Sequence, residues 1–126
     1  MSASGAAASS PPDWARPVVH WEIGARDPEL IKAFYAQMFN WDIGSGFIMA
    51  IPPGFGGPEP GPAGHIRPAE RSGVSLYVQV RDLRESLERA VSLGARITAE
   101  PFDVPDGPTI AGIEDPEGNP VVLVQQ

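Results

Sequence analysis

The chain has 126 residues, enough for one domain with a single core of moderate size. Nine basic and sixteen acidic residues give a net charge of −7, and no Lys/Arg cluster interrupts that balance, which excludes nucleic acid and anionic membranes as expected partners. The lack of cysteine excludes disulfides and thiolate chemistry and fits a cytoplasmic protein. No apolar run approaches the ~20 residues that span a bilayer.

Residues 1–16 are small, polar and proline-containing. They lack the basic start and long apolar stretch of a signal peptide, so we predict a flexible tail. A single domain is then expected over residues 17–126.

The first predicted strand begins near Val18 and alternates apolar and polar side chains. Alternation places the apolar set under the helix that follows and the polar set on the opposite, concave face. The apolar set is Val19, Trp21 and Ile23, and the polar set is His20 and Glu22.

A helix is predicted after this strand. Asp27 is a typical N-cap and Pro28 suits the first helical position. Asn40 tolerates the left-handed conformation and is expected to end the helix. The start of a second strand follows at residues 41–43.

Glycine and proline dominate residues 52–62, which excludes regular helix or central strand there. This segment is interpreted either as a loop that closes over a cleft, with Phe55 as its large apolar contact, or as a linker. Short strands are predicted on either side of it, at Phe47–Ile51 and around His65.

The strand and helix occur a second time. Aligning residues 26–27 with residues 81–82 places His20 opposite Ser75 and Ile23 opposite Val78. An N-cap at Asp82 and a helix end at Gly94 repeat the pattern. The second strand alternates Val74, Leu76, Val78 and Val80 with Ser75, Tyr77 and Gln79. Three further strands are predicted at residues 95–104, 109–113 and 120–125, separated by turns at 105–107 and 115–119.

This order predicts an α+β fold of tandem βαβββ units, at about residues 17–68 and 73–126. The units are expected to form two curved mixed sheets around a cleft, with the helices on the outer faces, because neither unit buries its apolar face alone.

The chain resembles the vicinal oxygen chelate superfamily, which includes glyoxalase I, bleomycin-resistance proteins, fosfomycin-resistance enzymes and extradiol dioxygenases. The resemblance covers roughly residues 17–126 and implies a homodimer, as do the open edges of the predicted sheets. The matching residues are His20, Asp27 with Phe34-Tyr35, Asp82 with Leu93-Gly94, and Asp115-Pro116-Glu117-Gly118-Asn119.

The resemblance also implies where a divalent metal would bind, because the enzymes of the superfamily take ligands from the first and last strands of each unit. His20 matches one of these positions. Ser75 stands where many members have histidine, and Val122 stands where glutamate is usual. We therefore predict no metal cofactor. The alternative is a metal held by unorthodox ligands, namely His20 and His65, with Glu22 within reach only if the side chains allow it.

The predicted function is binding of a small molecule in the cleft, without the usual metal centre. One alternative is a lyase, isomerase or dioxygenase of the same superfamily that uses His20, or a metal-free enzyme with His20 and Glu22 as acid and base. Another is an accessory protein whose sheets only assemble a dimer. Without such roles, Glu22 is expected in a structural ion pair and His65 in a solvated loop. The predicted cleft residues are His20, Glu22, Ser75, Tyr77, Gln79, Val122 and Val124.

Overall fold

The computed structural model describes residues 15–53 and 61–126. The predicted tail therefore lies almost entirely outside the described residues, as do Phe55 and most of the Gly/Pro-rich segment. Neither helix in the described ranges is long and apolar enough to cross a membrane. The elements are β1 (Val18–Ala25), α1 (Pro28–Phe39), β2 (Met49–Ile51), β3 (Gly64–Pro68), β4 (Gly73–Val80), α2 (Leu83–Ser92), β5 (Arg96–Asp103), β6 (Thr109–Glu114) and β7 (Pro120–Gln125).

The described strands form one mixed sheet of seven strands in the order β2-β3-β1-β4-β7-β6-β5. Strands β1 and β4 pair antiparallel and join the two halves of the molecule. Within the halves, β1 pairs parallel to β3 and β4 pairs parallel to β7. The predicted α+β class is confirmed, and the two expected sheets are continuous through the β1–β4 pair.

The second unit has the predicted order of strand, helix and three strands, with bounds within one residue of those expected. The first unit has only two strands after its helix among the described residues. The strand expected at residues 41–43 is absent, although Ile43 is buried and the Gly44 amide donates to the Ala50 carbonyl at 2.9 Å. One backbone hydrogen bond does not make a ladder, so that prediction is wrong.

Both helices begin and end as the sequence predicts. The Asp27 side chain accepts from the Leu30 amide at 3.2 Å, and the Asp82 side chain accepts from the Glu85 amide at 3.0 Å. At the other ends, Asn40 has a φ of 59° and Gly94 a φ of 102°. These left-handed conformations let the chain leave each helix and turn back towards the sheet.

Two separate apolar clusters lie between the helices and the sheet. In the first, Ile66 of β3 is fully buried, and Trp21 and Ile23 pack beside it as predicted. In the second, Leu83 and Leu87 of α2 pack against Leu123 of β7. Helix α1 packs on β1 and β3, whereas α2 packs on β5, β6 and β7.

This division leaves the middle of the sheet uncovered, which corrects one prediction. Val74 and Leu76 of β4 were expected under α2, but they are 56% and 45% exposed. Strand β4 lies between the areas that the two helices cover, and only Val80 at its end reaches the α2 cluster. Alternation correctly predicts which face a side chain occupies, but it does not predict how far a helix reaches.

A second correction concerns Val19, which lines the opposite face from Trp21 and Ile23. The β1–β4 pairing shifts register between Val18 and His20, so Val19 is an extra residue without a partner on β4. Such a bulge bends the strand and turns a side chain to the other face.

Candidate functional site

A cleft of about 830 Å³ opens on the face of the sheet opposite the helices. Its ionisable side chains come from β1, β3 and β4, where the two units meet. Its walls on the other side come from β5, β6 and β7 and are apolar apart from the Thr98 hydroxyl, and they include Phe102, Ile110, Val122 and Val124. An apolar chamber with polar groups gathered at one end is the usual character of a small-molecule site.

Six of the seven predicted cleft residues lie on this cleft. They come from three strands, as the alternation of β1 and β4 and the pairing of β4 with β7 require. Gln79 is not among the residues that line the cleft, and its backbone amide donates to the Pro17 carbonyl at 3.0 Å. The six residues are His20, Glu22, Ser75, Tyr77, Val122 and Val124.

Glu22 is the centre of the polar end and is 7% exposed. The Arg67 guanidinium donates to both of its oxygens, from Nε to Oε1 at 3.0 Å and from Nη2 to Oε2 at 3.1 Å. Burial by itself raises the pKa of Glu22, but hydrogen bonds from His65 and Arg67 outweigh it and lower the pKa to about 2. The carboxylate is therefore ionised, and the predicted ion pair of Glu22 is present.

His65 connects this carboxylate to the other histidine. Its Nε2 lies 2.9 Å from Glu22 Oε1, and its Nδ1 lies 2.7 Å from His20 Nε2. The two imidazole rings are stacked, with centroids 4.9 Å apart. His65 belongs to β3 and is 8% exposed, so its expected position in a solvated loop is wrong.

Tyr77 closes the network from β4. Its hydroxyl donates to Glu22 Oε1 at 3.2 Å, and its ring meets the His20 ring edge-on at 5.0 Å between centroids. Burial, followed by the charge of Glu22 and this hydrogen bond, raises the pKa of Tyr77 to about 12. The hydroxyl therefore keeps its proton at neutral pH.

His20 lines the cleft between the rings of His65 and Tyr77. Burial and the neighbouring His65 ring lower the pKa of His20, and Glu22 only partly opposes them. The imidazole is therefore neutral over a wider pH range than a free histidine.

Sequence reasoning missed Arg67 and gave His65 no partner. Both lie on β3, which has five residues and follows the Gly/Pro-rich segment. A signal was present in the sequence, because His65 and Arg67 alternate with Gly64 and Ile66 as polar and apolar residues do on a half-buried strand. The parallel register then places His65 directly beside Glu22.

The side chains at the cleft do not fit the metal centre that the resemblance implies. A catalytic site of this kind needs about three ligands. The nitrogens of His20 and His65 are hydrogen-bonded to each other, and both oxygens of Glu22 accept from Arg67. Within residues 15–53 and 61–126, no group of three His, Cys, Asp or Glu side chains is arranged to hold a metal, and no buried side-chain nitrogen or oxygen lacks a partner.

Comparison with known proteins places the chain in a family. The model of the glyoxalase-like domain matches residues 18–124. No curated protein matches the chain.

Solved structures share the fold at low identity. A glyoxalase/bleomycin resistance protein/dioxygenase superfamily member from Vibrio splendidus has a TM-score of 0.62 at 13% identity, covering 89% of this chain and all of that one. Methylmalonyl-CoA epimerase from Mycobacterium tuberculosis has a TM-score of 0.56 at 17% identity, covering 85% of each chain. A Legionella pneumophila protein described as an NAD-dependent benzaldehyde dehydrogenase has a TM-score of 0.59 at 14% identity, covering 84% of this chain and 96% of that one. The chain belongs to the glyoxalase-like domain family, and its fold is that of the vicinal oxygen chelate superfamily.

Proposed function

We propose that the protein binds a small, largely apolar molecule in the cleft and does so without a divalent metal. The observation that carries this proposal is the division of the cleft into an apolar chamber and one polar end. The chamber walls at Phe102, Ile110 and Val124 suit a hydrophobic body. His20 and Tyr77 supply the directional contacts that orient a polar head.

The proposed absence of a metal is supported by the donors that the two units supply to the cleft. His20 and His65 come from the first unit, while the second unit has Ser75 and Val122 at the positions where the resemblance implies ligands. A hydroxyl group is a poor substitute for imidazole, and an isopropyl group has no donor atom. A metal here would have to break the His20–His65 hydrogen bond and compete with Arg67 and Tyr77 for the Glu22 carboxylate.

Binding is tested by a thermal-shift screen of aromatic and drug-like compounds. A ligand that binds only the folded state raises the melting temperature, and the shift grows with the logarithm of its concentration over Kd. We expect the shift to disappear in Val122→Arg, whose side chain fills the cleft. It should remain in the control Val91→Arg, because Val91 lies on α2 and is 51% exposed. Equal shifts in both variants would place binding elsewhere.

The metal question has a separate test. The protein is incubated with Zn²⁺, Ni²⁺, Mn²⁺ or Fe²⁺, desalted, and assayed for metal per chain. We expect far less than one ion per chain. Stoichiometric retention that disappears in His20→Ala would overturn the metal-free proposal.

A second candidate is an acid–base enzyme in which His20 moves a proton. The hydrogen-bonded series from His20 through His65 to Glu22 favours it, because such a series orients the imidazole, and the lowered pKa of His20 keeps its ring neutral and able to accept a proton. Methylmalonyl-CoA is the probe, since an epimerase of that substrate shares the fold. Exchange of its α-hydrogen with deuterated solvent, followed by NMR, should occur in the wild type and stop in His20→Gln. If the wild type catalyses no exchange, methylmalonyl-CoA is not a substrate of this protein.

We also propose a homodimer. Leu30, Phe34 and Met38 of α1 are each more than half exposed, and Leu76 of β4 is 45% exposed. A second copy would remove such apolar surface from water. Sedimentation at micromolar concentration should give twice the chain mass, and Leu76→Glu should lower it. A wild-type monomer would contradict the proposal.

A further inference from the structure

We infer that the cleft selects ligands whose polar head is a hydroxyl group carried on a flat, apolar frame, as in phenols and naphthols. The inference rests on the proposed small-molecule function and adds the class of ligand. It follows from the direction of the hydrogen bonds at the polar end, where His20 and Tyr77 present acceptors to a ligand and the ionised Glu22 disfavours an anion.

The direction of the bonds is set by Glu22. An ionised carboxylate only accepts hydrogen bonds. Arg67 donates to both of its oxygens and fixes its position. The short contact from His65 Nε2 to Glu22 Oε1 therefore requires a proton on that nitrogen.

The tautomers of both histidines follow from this proton. A neutral His65 with its proton on Nε2 has a lone pair on Nδ1, which accepts a hydrogen bond. With a single proton on the His65 ring, the nitrogen 2.7 Å away, His20 Nε2, donates this hydrogen bond. The remaining nitrogen of neutral His20, Nδ1, then carries a lone pair. Among the described residues, every buried polar side-chain atom has a hydrogen-bond partner, whereas His20 Nδ1 has none there. This nitrogen is therefore not buried, and its lone pair is accessible.

Tyr77 offers a second acceptor beside His20. The Tyr77 proton points to Glu22, so its oxygen can only accept from a ligand. Arg67 directs Nε and Nη2 to Glu22 and Nη1 to the Pro68 carbonyl. A carboxylate or phosphate head would meet the negative charge of Glu22, towards which Arg67 already directs two of its nitrogens. The Ser75 hydroxyl of the cleft can donate or accept, so it does not discriminate between ligand heads. A hydroxyl group finds two acceptors, His20 Nδ1 and Tyr77 Oη.

The shape of the ligand follows from the walls. Strands β6 and β7 present Ile110, Val122 and Val124, and Phe102 of β5 adds a ring. These side chains offer no hydrogen bonds to a polar body. A hydroxyl group attached to an aromatic frame satisfies both ends of the cleft.

The tautomers are measured directly, because the sequence contains only two histidines. A long-range ¹H–¹⁵N spectrum of ¹⁵N-labelled, untagged protein at mildly alkaline pH distinguishes a protonated ring nitrogen from a bare one. We expect both rings to be protonated at Nε2 and bare at Nδ1. A His20 ring protonated at Nδ1 would overturn the inference whatever the ligand results.

The ligand class is tested with a matched pair, 2-naphthol and 2-methoxynaphthalene, which differ by one donor. We expect the wild type to bind the naphthol roughly tenfold or more tightly, because the ether leaves acceptors unpaired. The ¹⁵N signal of His20 Nδ1 should shift with the naphthol and stay in place with the ether.

Variants separate the network from the rest of the chain. His65→Phe removes the acceptor that fixes the His20 ring, so the preference should fall to roughly threefold or less. Arg96→Gln, at an exposed ion pair with Glu114, should keep the wild-type preference. If His65→Phe does not fold, the His20 signal in the wild type decides alone. Equal affinity for both compounds overturns only the inference, whereas binding of neither overturns the proposed function as well.

Discussion

The two halves of the sheet match in backbone and differ in chemistry. The sequence repeat matches Glu22 with Tyr77, and parallel pairing places His65 beside Glu22 and Val122 beside Tyr77. His65 and Val122 therefore occupy equivalent positions in the two halves. By the same register, Arg67 corresponds to Val124.

The comparison shows on which face of a repeated sheet the side chains can differ between the two halves. The side chains under the helices are apolar in both halves, for example Ile66 and Leu123. On the opposite face, the last strand of the first half carries His65 and Arg67, whereas the last strand of the second half carries Val122 and Val124. Packing constrains the helix face, whereas the cleft face is free to specialise.

The largest expected effect concerns the shared part of the two halves. Ile66 and Leu123 occupy equivalent buried positions, 0% and 6% exposed. Truncation to alanine at either should lower the free energy of unfolding by about 3–4 kcal/mol, because each leaves a cavity in its cluster. Urea unfolding measures both variants. If only one of the two variants has a lower free energy of unfolding, the stability of the protein depends on that half alone.

The next effect should be confined to the first half. Glu22→Gln removes the charge that Arg67 and His65 contact, and we expect a loss of about 2–3 kcal/mol, moderated by the part of Arg67 that water reaches. The control Glu114→Gln, in an exposed pair with Arg96, should cost less than about 1 kcal/mol. Because the pKa of Glu22 falls from 4.5 to about 2 on folding, its contribution is complete above pH 4.5 and lost towards pH 2. Equal costs for the two variants would contradict the central position of Glu22.

A third prediction concerns a packing contact that differs between the two halves. The Trp21 ring lies against Gly64, where an added Cβ would collide with it, whereas the equivalent pair in the second half is Leu76 and Val121. Gly64→Val should therefore cost about 2 kcal/mol by overpacking. Adding Trp21→Leu should restore part of that loss. If the double variant is no more stable than Gly64→Val alone, the collision is not the cause.

The smallest effect is the pH dependence of His20. Burial and the neighbouring His65 ring lower its pKa in the folded state, with Glu22 partly opposing. Below its ordinary value of 6.5 the unfolded chain then binds more protons than the folded chain, so the free energy of unfolding declines as pH falls through that region. Urea unfolding from pH 8 to pH 5 should show a shallow decline in the wild type and a flatter profile in His20→Gln. A steeper decline in the variant than in the wild type would contradict a lowered pKa of His20 in the folded state.

Much of the fold could be predicted because local chemistry specifies it. Asp27 and Asp82 fix where the helices begin, and the alternation of β4 fixes which side chains share a face. The uncovered state of Leu76 could not be predicted, because it depends on the lateral position of each helix. The bulge at Val19 could not be predicted either, since its cause is a register shift against a strand more than fifty residues away.

The candidate site could be predicted only in part for the same reason. Positions on β1, β4 and β7 follow from the repeat and from alternation. His65 and Arg67 depend on the parallel pairing of a five-residue strand with β1 across the Gly/Pro-rich segment. Their contacts with Glu22 join residues 43 and 45 positions apart, which no local pattern specifies.

The β1–β4 pair is the main connection between two apolar clusters that share no residue. A molecule built in this way opens in parts, because each half can lose its packing while the other keeps it. Amide hydrogen exchange should therefore resolve two groups of protected amides with separate opening free energies. A ligand in the cleft contacts strands of both halves, so it should merge the two groups into one cooperative unit.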